Sequence, residues 1–179
     1  MNHQPVLDFW FHEIDSKFWF AKDTAFDQLI HERFQLAHQA ATRCELFAWR
    51  DRPEGRLAEI IVLDQFSRNI YRDSPLAFAA DPLSLALAQE AVHADVQHHL
   101  SERQKPFLFM PFMHSESPLI HERAVELFSE PGLENNLKFE LKHKAIIDRF
   151  GRYPHRNAIL GRTSSQEELE FLNSPDSSF

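Results

Sequence analysis

The 179 residues read as an all-α protein. Nearly every periodic segment repeats at three and four residues, the spacing that builds one apolar helical face. No segment keeps sustained alternation, and no Asn-Gly or Asp-Gly dipeptide marks a hairpin. A capping residue followed by proline recurs as a start signal along the chain.

The elements follow in order. Phe26, Ile30, Phe34, Ala37 and Ala41 predict an amphipathic helix over 24–42, capped by Asp23 or Thr24. "PEGRLAEIIVLDQFSRNIYR" opens with Pro53 in a first turn and predicts helix to about 71. "DPLSLALAQEAVHADVQHHL" repeats the signal, with Asp81 as cap and Pro82 at the first position. "SPLIHERAVELF" predicts a helix over 117–128, closed by Pro131 and Gly132. Another covers about 133–149, with Gly151 placed to stop it in a left-handed conformation. "TSSQEELEFL" closes the chain with a capping pattern, Thr163 or Ser164 ahead of Glu167. Short loops and the lack of a linker, low-complexity tract or clear repeat predict one helical domain over 1–179.

Hydrophobic residues make up 43% and charged residues 26%, an ordinary soluble composition. The 17 Phe, with 3 Trp and 2 Tyr, promise a core built on aromatic packing. A single cysteine, Cys44, excludes an internal disulfide and a cysteine-only zinc site, and reads as a small packed side chain. No secretory leader opens the chain, and "PFLFMPFM" (106–113) is too short to span a membrane. The expected location is the cytoplasm. A net charge of −8 argues against nonspecific nucleic-acid binding.

Polar residues fall where a core belongs. A helix turns about 100° per residue, so Asp64 and Arg68, seven and eleven after Leu57, share its stripe with Ile60 or Ile61. Four apart, they can reach each other, as an internal ion pair or part of a ligand site. His143 lies likewise on a stripe of Phe139, Ile146 and Phe150, as a hydrogen-bonded core histidine or a functional one. Between Pro111 and Pro118, His114, Ser115 and Glu116 occupy a loop that either caps a helix or edges a pocket.

"FGRYPHRNAILGR" (150–162) gathers two of the chain's four glycines, with Arg152, Arg156 and Arg162, and Arg149 at its edge. Pro154 is suited to start a helix, leaving the N–H groups of His155, Arg156 and Asn157 to accept an anion. The arginines add bidentate donors for a carboxylate or phosphate. The structural alternative pairs them with Asp64, Glu116, Asp148 and other acids inside the protein.

"LDQFSRNIYR" (63–72), "MPFMHSES" (110–117) and "HKAIIDRFGRYPHRNAILGR" (143–162) resemble the signatures of the bacterial domain-of-unknown-function family 924, and "VLDFWF" and "KFWF" fit as well. The resemblance implies an all-α, tetratricopeptide-repeat-like stack of antiparallel helix pairs and no established activity. Its motif positions match at Asp64, Gln65, Arg68, Asn69, His114, Ser115, Glu116, His143, Arg149, Arg152, His155, Arg156, Asn157 and Arg162. Ser67 stands where the family often has proline, and Ser165 where threonine is expected.

Three functions are consistent with these residues. The first is a site for a small phosphate- or carboxylate-bearing ligand. There the 149–162 arginines and Arg68, Gln65, Asn69 and Ser115 bind, His114 or His143 moves a proton, and Glu116 or Asp64 orients it. The second is an interaction module for a peptide. The third, from Glu90-x-x-His93 and Glu140-x-x-His143, is a di-metal carboxylate site. The sequence does not identify a cofactor. Ser115 beside His114 lacks the context of a hydrolase nucleophile. His98 and His99 read as a solvated helix end.

Overall fold

In a computed structural model, residues 1–175 and Ser177 are described, and every regular element among them is helical. Helix α1 (Gln4–Asp8) carries Pro5 in its first turn, where a missing N–H costs nothing, and runs on into a wider π-type turn over Phe9–Glu13. Helix α2 (Thr24–Thr42) is capped by the Asp23 carboxylate, which accepts from Phe26 N at 2.9 Å. Its buried face is the predicted Phe26, Ile30, Phe34, Ala37 and Ala41, with His38 added.

Helix α3 (Pro53–Ile61) passes through a second π-type turn, Val62–Phe66, into the short α4 (Ser67–Ile70). All five residues of that turn are buried, including Asp64 and Gln65. A π turn inserts one residue and re-aims its neighbours, a device found often at functional sites. Gly55 lets α3 approach the preceding loop: a Cβ there would stand 2.1 Å from the Trp49 carbonyl oxygen.

Helix α5 (Asp81–His93) leads to α6 (Lys105–Met113), whose residues 106–113 are all buried. A helix apolar on every side belongs in the centre, and α6 packs against α3, α5, α7 (Pro118–Phe128) and α8 (Glu134–Phe150). Gly151, at φ 68°, ends α8 as predicted. A single 3₁₀ turn, Pro154–Arg156, and α9 (Gln166–Leu172) follow.

The main core joins α1 to α7 through stacked and edge-on rings: Phe9, Trp10, Phe26, Phe34, Phe66 and Phe107. A smaller cluster, Ile146, Ile147 and Tyr153, lies under α8. No helix among the described residues is long and apolar enough to cross a membrane.

Several local expectations are corrected. Asp81 is not a cap: Ala80 holds that position, and the Asp81 carboxylate leaves its helix to meet arginines. The last cap is Ser165, in a reciprocal box with Glu168, because that register gives the side chain the N–H it needs. Pro111 lies inside α6, not at its edge. Phe139 is 47% exposed, so it does not belong to the buried stripe of His143. Cys44 is exposed, at a left-handed φ of 58° that turns it away from the core.

Candidate functional site

The centre of the site is Asp64, aimed inward by the π turn. Its side chain is 1% exposed, and its Oδ1 meets His114 Nδ1 at 2.8 Å and Arg68 Nη1 at 3.3 Å. Gln65 Nε2 donates to its Oδ2 at 2.6 Å. Burial alone would push its pKa up, but Arg68 and His114 outweigh this and hold the carboxyl below the usual range. An ionised carboxylate only accepts, so His114 Nδ1 carries the proton. In the neutral ring Nε2 is then a bare acceptor. It finds no hydrogen-bond partner among the described residues, and the side chain is 16% exposed, so it reaches solvent. Burial lowers the His114 pKa and Arg68 adds to that, against Asp64, which keeps the ring neutral at pH 7.

Asp81 is the acid that the sequence hid by resembling a cap. It accepts two bonds from Arg68, at 2.9 and 3.1 Å, and one from Arg156 Nη1 at 3.4 Å. Arg156 is 6% exposed, lies over the rings of Phe78 and Tyr153, and donates from Nη2 to the His114 carbonyl at 3.1 Å. Its Nε is buried and makes no hydrogen bond among the described residues.

The loop carrying His114 is held from below. Tyr153 donates its hydroxyl to the Met113 carbonyl at 2.5 Å, and His121 Nε2 donates to the Ser115 carbonyl at 2.9 Å. His121 Nδ1 meets Glu140 at 2.6 Å, both side chains fully buried. Burial raises the Glu140 pKa against the pull of His121. Three successive carbonyls, Met113, His114 and Ser115, are thus fixed by buried side chains.

The predicted residues divide into groups. Asp64, Gln65, Arg68, His114 and Arg156 come together, and Asp64 orients the imidazole. Glu116 does not: Arg162 holds both its oxygens, at 2.6 and 2.9 Å, and Tyr153 N donates to it at 2.7 Å. These donors outweigh burial and lower its pKa. The 150–162 segment therefore accepts an anion, and that anion is the protein's own Glu116. The expected helix N-terminus is one turn only, with Arg156 N and Asn157 N bonded to Tyr153 O and Pro154 O.

Asn157 links Arg162 to Ser164, Arg152 takes Glu168 in two bonds, and Arg149 takes Glu167 at the surface. Asp148 pairs with Lys144, not with an arginine. Asn69 faces α2, where Asp27 accepts from it at 2.8 Å and also pairs with Arg72. His143 Nδ1 donates to the Phe139 carbonyl at 2.8 Å, and the rings of His143 and His155 flank Tyr153 at 5.8 and 5.5 Å. Ser115 contributes its carbonyl to the loop. Glu90 and His93 are exposed on α5 and Glu140 is engaged by His121, so the di-metal arrangement does not assemble. Among the described residues no three His, Cys, Asp or Glu side chains are grouped to hold a metal.

An all-helical protein with an Asp-oriented histidine among arginines is the class these features define. The chain belongs to the family described as bacterial protein of unknown function (DUF924), whose model matches residues 6–176. It is similar to the solved structure of a protein of unknown function, ATU0120, from Agrobacterium tumefaciens. The two are 38% identical over 96% of each chain, with a TM-score of 0.91. No curated protein matches the chain.

Proposed function

We propose that this protein binds a small phosphate- or carboxylate-bearing ligand beside His114, and that His114 exchanges a proton with it. The observation that carries the reading is an oriented imidazole, with Nε2 open to solvent, beside a cation short of a counter-ion. Arg68, Arg152 and Arg162 each hold a carboxylate through two short bonds. Among the described residues Arg156 has one carboxylate partner, Asp81 at 3.4 Å, besides its bond to the His114 carbonyl. Burial and the neighbouring Arg68 charge lower its pKa, the mark of incomplete neutralisation. An incoming anion completes that balance and brings its own proton-bearing group toward Nε2.

General acid–base work needs this combination: a fixed tautomer, a pKa below neutrality and a reachable lone pair. The cluster is mostly buried, which favours a small ligand over the extended peptide of an interaction module with tetratricopeptide-like stacking. The single cysteine, free and exposed, is consistent with a cytoplasmic setting.

A thermal-shift screen against phosphorylated metabolites and carboxylates tests the reading, with wild type beside His114→Gln and Arg156→Lys. One anion class should raise the wild-type Tm, and both still-folded variants should respond less. If no anion shifts wild type, the cluster is a structural network and the proposal fails.

A further inference from the structure

A cleft lined by none of the arginines lies beside His38. It encloses about 390 Å³ between α2 and the 71–83 segment, lined by His38, Gln39, Thr42, Tyr71, Leu76 and Leu83, with Ala79 and Ala80 at its wall. That volume falls in the usual range for small-molecule sites.

Its polarity is set by one buried histidine. Ser67, in the first turn of α4, donates its hydroxyl proton to the Leu63 carbonyl at 2.5 Å. The hydroxyl has one proton, so its oxygen must accept from His38 Nε2, 2.7 Å away. The His38 tautomer is thereby fixed with the proton on Nε2, and Nδ1 is a bare acceptor. Nδ1 makes no hydrogen bond among the described residues and is not sealed from solvent, and His38 lines the cleft. Tyr71 stands edge-on to the imidazole at 5.2 Å, forming an aromatic corner. Leu76 and Leu83 supply apolar walls, and among the described residues no carboxylate, lysine or arginine lines the space.

We infer that this cleft binds a neutral, flat molecule carrying an N–H or O–H donor, which bonds to His38 Nδ1 while its apolar body packs between Tyr71, Leu76 and Leu83. Burial lowers the His38 pKa, so the acceptor persists at neutral pH. The cleft shares no lining residue with the His114 site, so either can fail alone.

Indole and 1-methylindole make the test, since they share a shape and differ in the donor. His38 ring resonances are followed by NMR during titration of each into wild type and Ala79→Phe, a change at an exposed position that fills the cleft. Indole should shift His38 saturably and 1-methylindole should bind about five- to tenfold more weakly, the loss of one neutral hydrogen bond. Ala79→Phe should remove the response. Equal affinity for both probes, a saturable response that leaves His38 unmoved, or no response up to the solubility limit would overturn the inference.

Discussion

The two ends of the core are built on opposite principles. Around α1, α2 and α6 the interior is aromatic: Trp10, Phe66 and Phe107 are buried with little polar company, and their energy is spread over many weak contacts. Around α8 and the 150–162 segment the interior is polar, and each group depends on a named partner: Asp64 on His114, Glu140 on His121, Tyr153 on Met113. A truncation in the aromatic half loses the contacts it removes; one in the polar half also changes what its partner is bonded to. A fold gains nothing in stability by burying so many charges where hydrocarbon would serve. That contrast is the reason to place function in the polar half.

The largest expected effect tests the aromatic half. Phe66→Ala should cost about 4 kcal/mol in urea unfolding, and a cost near 1 would mean that the rings are loosely packed. Within the polar half, Asp64→Asn should cost about 3 kcal/mol, because Arg68 and His114 lose their shared anion. His114→Gln should cost only about 1 kcal/mol, since one ring nitrogen already faces water. Equal costs for the two would mark His114 as one more internal strut.

Acid separates the halves again. Burial holds His143 at about 3, and burial with Arg156 holds His155 at about 4, both down from 6.5. Between those values and 6.5 the unfolded chain binds more protons, so stability falls as pH drops below 6.5 and levels off past the folded values. His143→Gln should reduce that slope by about 1.4 kcal/mol per pH unit. An unchanged slope would show that His143 titrates normally. At the small end, Ser165→Ala should cost about 1 kcal/mol through its capping box. Arg149→Ala should cost less than about 0.5, because its pair with Glu167 is exposed.

The aromatic half was legible in the sequence because periodicity alone defines it. Phe26, Ile30 and Phe34 announce a buried face whatever they touch, and Gly151 announces a helix end. The polar half was half legible. Asp64, Arg68 and His114 stood out as charges on apolar stripes or between prolines. Their partners did not, since a partner is chosen in three dimensions: Asp81 lies 13 residues from Arg68 and 75 from Arg156. Asp81 before Pro82 also fitted the cap pattern, and a local rule satisfied on paper concealed a long-range role. The arginine-rich 150–162 segment misled in the opposite way. Its composition signalled an anion, and the anion was Glu116, supplied by the chain itself.

The His38 cleft left no periodic trace either. Its histidine sits at an ordinary core position of α2, and only the proton count at Ser67 shows which nitrogen faces outward.

The protonation of His114 decides between a functional site and an internal ion-pair network. Long-range ¹H–¹⁵N correlation at pH 7 on a ¹⁵N-histidine sample, assigned with His114→Gln, reads it without any ligand in hand. The structure predicts a neutral ring, proton on Nδ1, Nε2 bare, and a pKa below 6.5. An imidazolium at pH 7, or a proton on Nε2, would contradict it and leave the cluster as an ion-pair network.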